Sequence, residues 1–451
     1  MRRSIVIIGG GCSGTLAALN LLKAASSSAL EIILVEPRPQ VARGLAYTVP
    51  SGRCKLNVPI NAMGALPEEP EGFLTWARND EPGLPPDQFA SRHLYGSYLQ
   101  ALLCKTQEES TRATLRVVRD VVIDLTFDDE ARQFCVELAQ HLSLHADACI
   151  LALGNIQRTT ISGIAISSVF NDPYKEESYE EIEGKQSLLV VGTGLTAVDC
   201  ILEAEGRGFK GRYVMLSRHA RLPLPHEPLG TMQSAKVAPL FSSPDCLQTS
   251  TLSTFVKAFR EEAKRLGSSQ PIINAMRPHL QRIWHDMPIA SKRRFLRHLR
   301  PLWEVHRHRI PETHAALVND LRQKQRLSLV AGRLLSAKRE HDAIEIEYLH
   351  EGRTSRDVFD IAFICAGPEG DISKVETPLI RNLVRRGIIQ AGALGLGIDM
   401  SESSLSHAAK QRFKILGPLQ REQLWEITAV REIRIEAAKI AKELYDVVSD
   451  I

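Results

Sequence analysis

Gly9, Gly11 and Gly14, within "SIVIIGGGCSGTLAALNLL", stand at G-x-G-x-x-G spacing. The chemistry of that spacing is anion recognition by the main chain. The first glycine permits a tight turn, the second lets backbone approach a pyrophosphate, and the third lets a helix close on a strand. Cys12, Ser13 and Gly14 would present amide hydrogens from the first helical turn, where the helix dipole is positive. About twenty residues farther on, Glu36 ends the apolar run "EIILVE", where a carboxylate accepts from a ribose hydroxyl. A second loop repeats the plan in "SLLVVGTGLTAVDCILEA", with Gly192, Gly194 and Ala197 at the key positions and Leu195 and Thr196 between them. Its next apolar run, "RYVMLSRH", ends in Ser217 and Arg218. An acid there would repel a 2′-phosphate, whereas serine and arginine bond and neutralise one. The first loop is therefore expected to hold the adenosine half of FAD, which stays bound, and the second to take NADPH, which exchanges.

Placing these residues requires strand, turn and helix in that order, twice. Ile5–Ile8 and Leu188–Val191 are short β-branched or aliphatic runs of the kind buried on both faces of a parallel sheet. Leu16, Leu19 and Leu22 then recur at helical spacing. Two further runs, "HADACILALGN" to Gly154 and "VFDIAFICAGPEGD" to Gly367, are expected to return the chain to the first nucleotide domain. The fold class is α/β: two Rossmann-like dinucleotide-binding domains, the FAD domain split by an inserted NADPH domain, plus a helical insertion. Expected boundaries are 1–157 and 325–451 for the FAD domain, 158–245 for the NADPH domain and 246–324 for the helical insertion. The stretches "LPEEPEGFLTW" and "NDEPGLPPDQ" read as proline-rich surface loops.

With 56 Lys+Arg against 53 Asp+Glu the chain is close to neutral, which argues against a surface built for nucleic acid. Eight cysteines are scattered singly, without C-x-x-C or a Cys/His cluster. No metal site is expected, and the pattern is that of reduced cytoplasmic thiols. The N-terminal apolar run is too short for a signal peptide, and no run is long enough to span a membrane.

Beyond the two loops, "GLAYTVPSGRCKLNVPINAMG" (44–64), "FASRHLYGSYL" (89–99), "RRFLRHLRPLWEVHRHRIP" (293–311) and "LGPLQREQLWEITAVREIR" (416–434) give the chain a resemblance over nearly its whole length. It resembles the bacterial FAD/NAD(P)-binding family that includes FAD-dependent urate hydroxylase and the aspartate N-hydroxylating, nitrosuccinate-forming monooxygenases. More distantly it is similar to the flavin-containing and N-hydroxylating monooxygenases. The resemblance implies FAD contacts from Gly9, Gly11, Ser13, Gly14 and Glu36. It implies that Asn57, in "LNVPINAM", lies beside the oxygen-reacting carbon of the flavin. It also implies that Gly417, Pro418 and a helix starting near Trp425 approach the flavin ring. Two departures stand out: "SSVFNDPY" (167–174) replaces a histidine-bearing fingerprint, and "GPL" replaces a Gly-Asp flavin contact, so ketone oxygenation is not implied. The expected activity is an NADPH-using flavin monooxygenase. Its substrates would be O₂ and a small polar molecule, nitrogen-containing and anionic. A flavin reductase or dehydrogenase without oxygen insertion, or a non-enzymatic redox sensor, is the alternative.

One motif is left over. "RRFLRHLRPLWEVHRHR" (293–309) holds six arginines and three histidines against the single acid Glu304. Phe295, Leu299 and Leu302 are expected to form the buried stripe of a short helix that Pro301 kinks or ends. His306–Arg309 reads as extended. Arg293, Arg297, Arg300, Arg307 and Arg309 are candidates to hold cofactor phosphates or an anionic substrate.

Overall fold

The computed structural model describes residues 3–25, 29–49, 51–180, 182–227, 236–243, 245 and 251–450; Cys246 and part of the expected NADPH-domain boundary lie outside them. The chain divides into two compact units. The first comprises Met1–Thr48, Val58–Ile156 and Glu369–Ile451, and the second Val49–Asn57 and Gln157–Pro368.

In the first unit, β1 (Arg3–Ile8) leads into helix α1 (Cys12–Ala24), then β2 (Leu30–Val35). With β3 (Ala113–Val118), β4 (Ala148–Leu151) and the strand Phe413–Ile415 they form a five-stranded parallel sheet. Its order is Phe413–Ile415, β4, β1, β2, β3. The β1–α1–β2 connection runs to one side of β1 while β4 lies on the other. That reversal of strand order opens a crevice at the strands' C-terminal ends. Helix α1 is buried from Ser13 to Leu22 because the C-terminal helix Val430–Ser449 packs along it. An all-round apolar helix is stable only when covered in this way.

The second unit repeats the plan. β5 (Ser187–Val191), helix α2 (Leu195–Gly206) and β6 (Arg212–Ser217) are followed by β7 (Leu327–Glu340), β8 (Ala343–His350), β9 (Arg353–Phe359) and β10 (Ile361–Ile364). The sheet order is β9, β8, β7, β6, β5, β10. β7 pairs parallel with β6 over its first residues and antiparallel with β8 beyond. Glu351 and Gly352, both at positive φ, make the turn between β8 and β9.

The expected return to the first domain at 325 therefore shifts to 369. The strands 327–364 extend the second sheet, and β10, with Gly367 after it, flanks β5. The hydrophobic runs were legible, but which sheet each would join depends on pairing across the chain. Between β6 and β7, helices among the described residues run over Leu252–Leu266, Gln270–Met276, Leu280–Asp286, Ile289–His298, Arg300–Arg307 and Glu312–Gln323. Phe241, Phe255, Ile272, Met276, Leu280 and Ile283 form their shared core. Within "LPEEPEGFLTW" the chain is less loop-like than expected: Gly72–Ala77 is helical and Phe73 is fully buried.

Two candidate dinucleotide sites

The first site is built at the end of β1. Gly9 has φ +104° and backs onto the Ala152 carbonyl, so a Cβ there would sit 2.5 Å from that oxygen. A Cβ on Gly14 would overlap the Gly9 carbonyl oxygen. Gly11 approaches Gly44, which has φ +55°. Gly9 and Gly14 must be glycine for the fold itself. No side chain caps α1, whose first-turn amides at Cys12, Ser13 and Gly14 have no intrahelical acceptors. The Cys12 thiol, hydrogen-bonded to Tyr47, is pushed up to about 12 by burial, so it stays neutral beside those amides.

Glu36 is 1 % exposed. The Gly10 amide donates to its Oε2 at 2.9 Å, while Arg38 donates from its backbone and side chain at 2.8–3.1 Å. The carboxylate is thus fixed at the end of β2, where a ribose would lie. Across the crevice, Gly154 has φ +68° with open space where a Cβ would be, and Gly417, at φ +94°, packs on the Ser13 side chain. Gly417 therefore lies against the first turn of α1, and Pro418 follows it in the chain. Trp425 is placed differently from the expectation. It is buried in a run of turns with the Arg421 guanidinium 4.2 Å above its ring, and the helix begins only at Val430.

Sequence reasoning missed Arg43. It is 8 % exposed and donates to Ser97 at 3.1 Å and Gln100 at 3.2 Å, with His93 at 2.9 Å. Burial lowers its pKa. Gly96 leaves the room for it, since a Cβ there would sit 3.0 Å from Arg43 Cγ. The signal was present in "FASRHLYGSYL", whose His93, Gly96 and Ser97 share one helix face.

The second site repeats the turn: Gly192 has φ +128° and a Cβ there would overlap the Cys365 carbonyl. Ala197 is buried, and a Cβ on Gly194 would meet nothing within 4 Å. Helix α2 is also uncapped, leaving the Leu195, Thr196 and Ala197 amides at its start. Thr196 Oγ1 is 3.2 Å from the Tyr174 hydroxyl. At the end of β6, Ser217 is 3.0 Å from Thr193 Oγ1, and its hydroxyl accepts from the Ala220 amide. Arg218, His219 and Arg221 are exposed beside it. The His219 imidazole titrates below the usual range, through partial desolvation first and then repulsion from Arg221 and Arg218. Arg221 and Thr193 were not foreseen, because the spacing argument ends at the strand's last residues.

Asn57 ends a nine-residue strap, 49–57, that belongs to the second unit. Ser51 and Arg53 bind the fully buried Glu203 of α2, and the Asn57 carbonyl lies 2.9 Å from His226 Nε2.

The basic run is helical twice over. Pro301 ends the helix Ile289–His298 and opens the helix Arg300–Arg307, so His306 and Arg307 are not extended. Phe295, Leu299 and Leu302 are half-buried, with Phe295 edge-on to Trp284 and Trp303. Arg293 and Arg297 are exposed, Arg300 pairs with Glu304 and Arg307 is half-buried. Arg309 departs from the anion-binding expectation. It is 4 % exposed and spends its guanidinium on the Pro225 carbonyl, Ser269 and Glu227.

Both loops fit a dinucleotide: donors without intrahelical acceptors, glycines where the fold or a ligand needs close approach, and opposite chemistry at the two ribose positions. Among the described residues, no group of three or more His, Cys, Asp and Glu is arranged to hold a metal, the cysteines are free thiols, and no helix is long and apolar enough to cross a membrane.

The family model described as FAD-NAD(P)-binding matches residues 6–156. The fold as a whole is shared, over essentially the full chain, with solved structures of low sequence identity. Ornithine hydroxylase from Pseudomonas aeruginosa superposes with a TM-score of 0.68 at 13 % identity, covering 99 % of this chain and 100 % of that one. L-lysine 6-monooxygenase from Pseudomonas syringae gives 0.65 at 14 % identity, covering 99 % and 100 %. The cadaverine monooxygenase of desferrioxamine biosynthesis from Erwinia amylovora, solved bound to FAD, gives 0.64 at 14 %, covering 99 % and 94 %. No curated protein matches this chain.

Proposed function

We propose that this chain is an NADPH-dependent flavin monooxygenase that hydroxylates a nitrogen atom of a small polar, anionic substrate. The observation that carries the reading is the pair of dinucleotide loops with opposite ribose-end chemistry, in a fold shared end to end with amine N-hydroxylases. Gly9, Gly11, Ser13, Gly14 and Glu36 hold the adenosine and pyrophosphate of FAD, with Gly154, Gly417 and Pro418 toward its ring. Gly192, Gly194, the amides of Leu195, Thr196 and Ala197, and Ser217 with Arg218 hold NADPH. Bound flavin would supply the chemistry, accepting hydride from NADPH and activating O₂. The protein's part is to orient both nucleotides, exclude water and place Asn57 beside the reacting carbon. Arg293 and Arg297, both exposed, are candidates within the basic run to meet an anionic substrate.

The nitrogen-centred chemistry is supported by the neighbours that act on ornithine, lysine and cadaverine. Resemblance to urate- and aspartate-oxidising enzymes makes purines and acidic amino acids the other substrates to try. The test is NADPH oxidation by the purified yellow protein, screened over diamines, basic and acidic amino acids and purines under ¹⁸O₂. A hydroxylated product carrying one ¹⁸O is expected. Flavin reduction that passes electrons to an added acceptor, with no ¹⁸O in any product, would instead establish a reductase.

A further inference from the structure

The strap 49–57 is held at its end by a one-way chain of hydrogen bonds. The Glu227 backbone amide donates to Gln270 Oε1 at 3.0 Å, which fixes which end of that side-chain amide is oxygen. Gln270 Nε2 then lies 3.4 Å from His226 Nδ1, and His226 Nε2 lies 2.9 Å from the Asn57 carbonyl oxygen. A carbonyl can only accept and a side-chain NH₂ can only donate. His226 must therefore carry its proton on Nε2 and offer a lone pair at Nδ1.

The imidazole has little freedom to do otherwise. The His226 amide donates to the Ile310 carbonyl at 2.9 Å, and the Ile310 amide to the Leu224 carbonyl at 3.0 Å. Gln270 is 5 % exposed. Arg309 locks the adjoining turn through the Pro225 carbonyl and Ser269, whose hydroxyl also meets His306 Nδ1 at 2.7 Å. Two residues of the basic motif, His306 and Arg309, are therefore built into this anchor.

We infer that His226 is a positioning residue, whose neutral Nε2–H form pins the Asn57 peptide and so sets the direction of the Asn57 side chain. The inference rests on the role proposed above for Asn57. Burial lowers the His226 pKa, the bond to Asn57 raises it, and Arg309 and Arg307 lower it again. The neighbouring acid Glu227 is engaged by Arg309 and by the Ser268 hydroxyl. On the strap, Arg53 faces Glu203, and Lys55 is half-buried. A protonated ring would confront the Gln270 NH₂ with a second donor and add charge beside two arginines. The neutral form, and with it the anchor, is intact above the ordinary histidine range of about 6.5 and is lost as pH falls through the lowered folded value.

Two measurements on the FAD-loaded protein test this. Hydrogen exchange of the 51–58 segment reads the anchor without using activity. The rate of peroxide release after NADPH reduction in air, without added substrate, reads what Asn57 protects. His226→Phe keeps the ring volume and removes the donor. It should raise both several-fold at neutral pH with flavin content unchanged, and His226→Gln, which retains an N–H, should restore both. In the unaltered protein both should climb as pH drops below the ordinary histidine range, and in His226→Gln that acid limb should vanish. Unchanged exchange in His226→Phe overturns the anchor. Raised exchange with unchanged peroxide release overturns the positioning role, provided Asn57→Ala itself speeds release. If Asn57→Ala does not, the reading of Asn57 fails and the proposal with it.

Discussion

In the first glycine loop a Cβ on Gly14 would overlap the Gly9 carbonyl and one on Gly11 would meet Gly44; in the second, Ala197 already carries its Cβ and one on Gly194 would meet nothing within 4 Å. Each loop starts with a positive-φ glycine backed onto the carbonyl of a strand across the switch point, Ala152 in one and Cys365 in the other. What differs is what surrounds that shared turn. The first loop is packed by its own fold, and its ribose acid is buried and held by four donations. The second opens to solvent at Gly194 and ends in exposed cations. The difference teaches that one backbone plan can be enclosed by its own fold or left open to solvent. It lies in how much of the loop the protein itself covers.

The largest effect expected from breaking this contrast is at Gly14. Gly14→Ala forces the helix off β1, costing several kcal/mol by overpacking and strain at a buried turn, about 3 or more. The protein should purify without flavin absorbance or not fold. Ala197→Gly at the matching position of the second loop should cost only about 1 kcal/mol, the helix-propensity difference, with flavin content unchanged. Equal losses at both positions, followed by thermal melts and the 450 nm band, would abolish the distinction.

A smaller effect is expected at Arg218. A charge-assisted bond to a 2′-phosphate contributes about 1.5–3 kcal/mol, so Arg218→Ala should erode the preference for NADPH over NADH by roughly ten- to a hundredfold. Thr193→Val, which removes the Ser217 partner, should shift it less. Steady-state KM ratios for the two nucleotides decide this. An unchanged ratio would mean that the strand-end cations do not read the phosphate.

The smallest effect sharpens the contrast without mutation. Exposed cations are screened over about 8–10 Å at physiological ionic strength. The NADPH KM should therefore rise a few-fold between low and high salt, while flavin retention, governed by buried donors, stays constant. A salt-driven loss of flavin at the same rate would contradict the picture of a covered first site.

Much of this was legible in the residues. Both glycine loops, the strands they follow, Glu36 against Ser217-Arg218, and the helical insertion are local patterns of period and punctuation; the structure has strand, turn and helix in that order at both loops and helices after β6. The boundary at 325 was not legible, because β7 to β10 are equally good strands for either sheet and only pairing assigns them. Arg309 looked like a free cation for the same reason: its partners, Pro225 and Ser269, are distant in sequence. Trp425 was expected in a helix, but "LWEITA" carries two β-branched residues before the strong formers from Arg431 onward, and the helix starts at Val430.

The first unit is assembled from three stretches, and its last sheet strand, Phe413–Ile415, and the helix that covers α1 are encoded after the entire second unit. As the chain leaves the ribosome, domains form as their sequence becomes available. The second unit can close while β1, α1, β2, β3 and β4 still wait for an edge strand and a lid over α1. Completion of the first unit therefore waits until the stretch 413–449 has been made. A truncated product lacking the last forty residues would carry a finished pyridine-nucleotide domain and an unfinished, apolar-faced flavin domain, a form that quality control can recognise by its exposed helix.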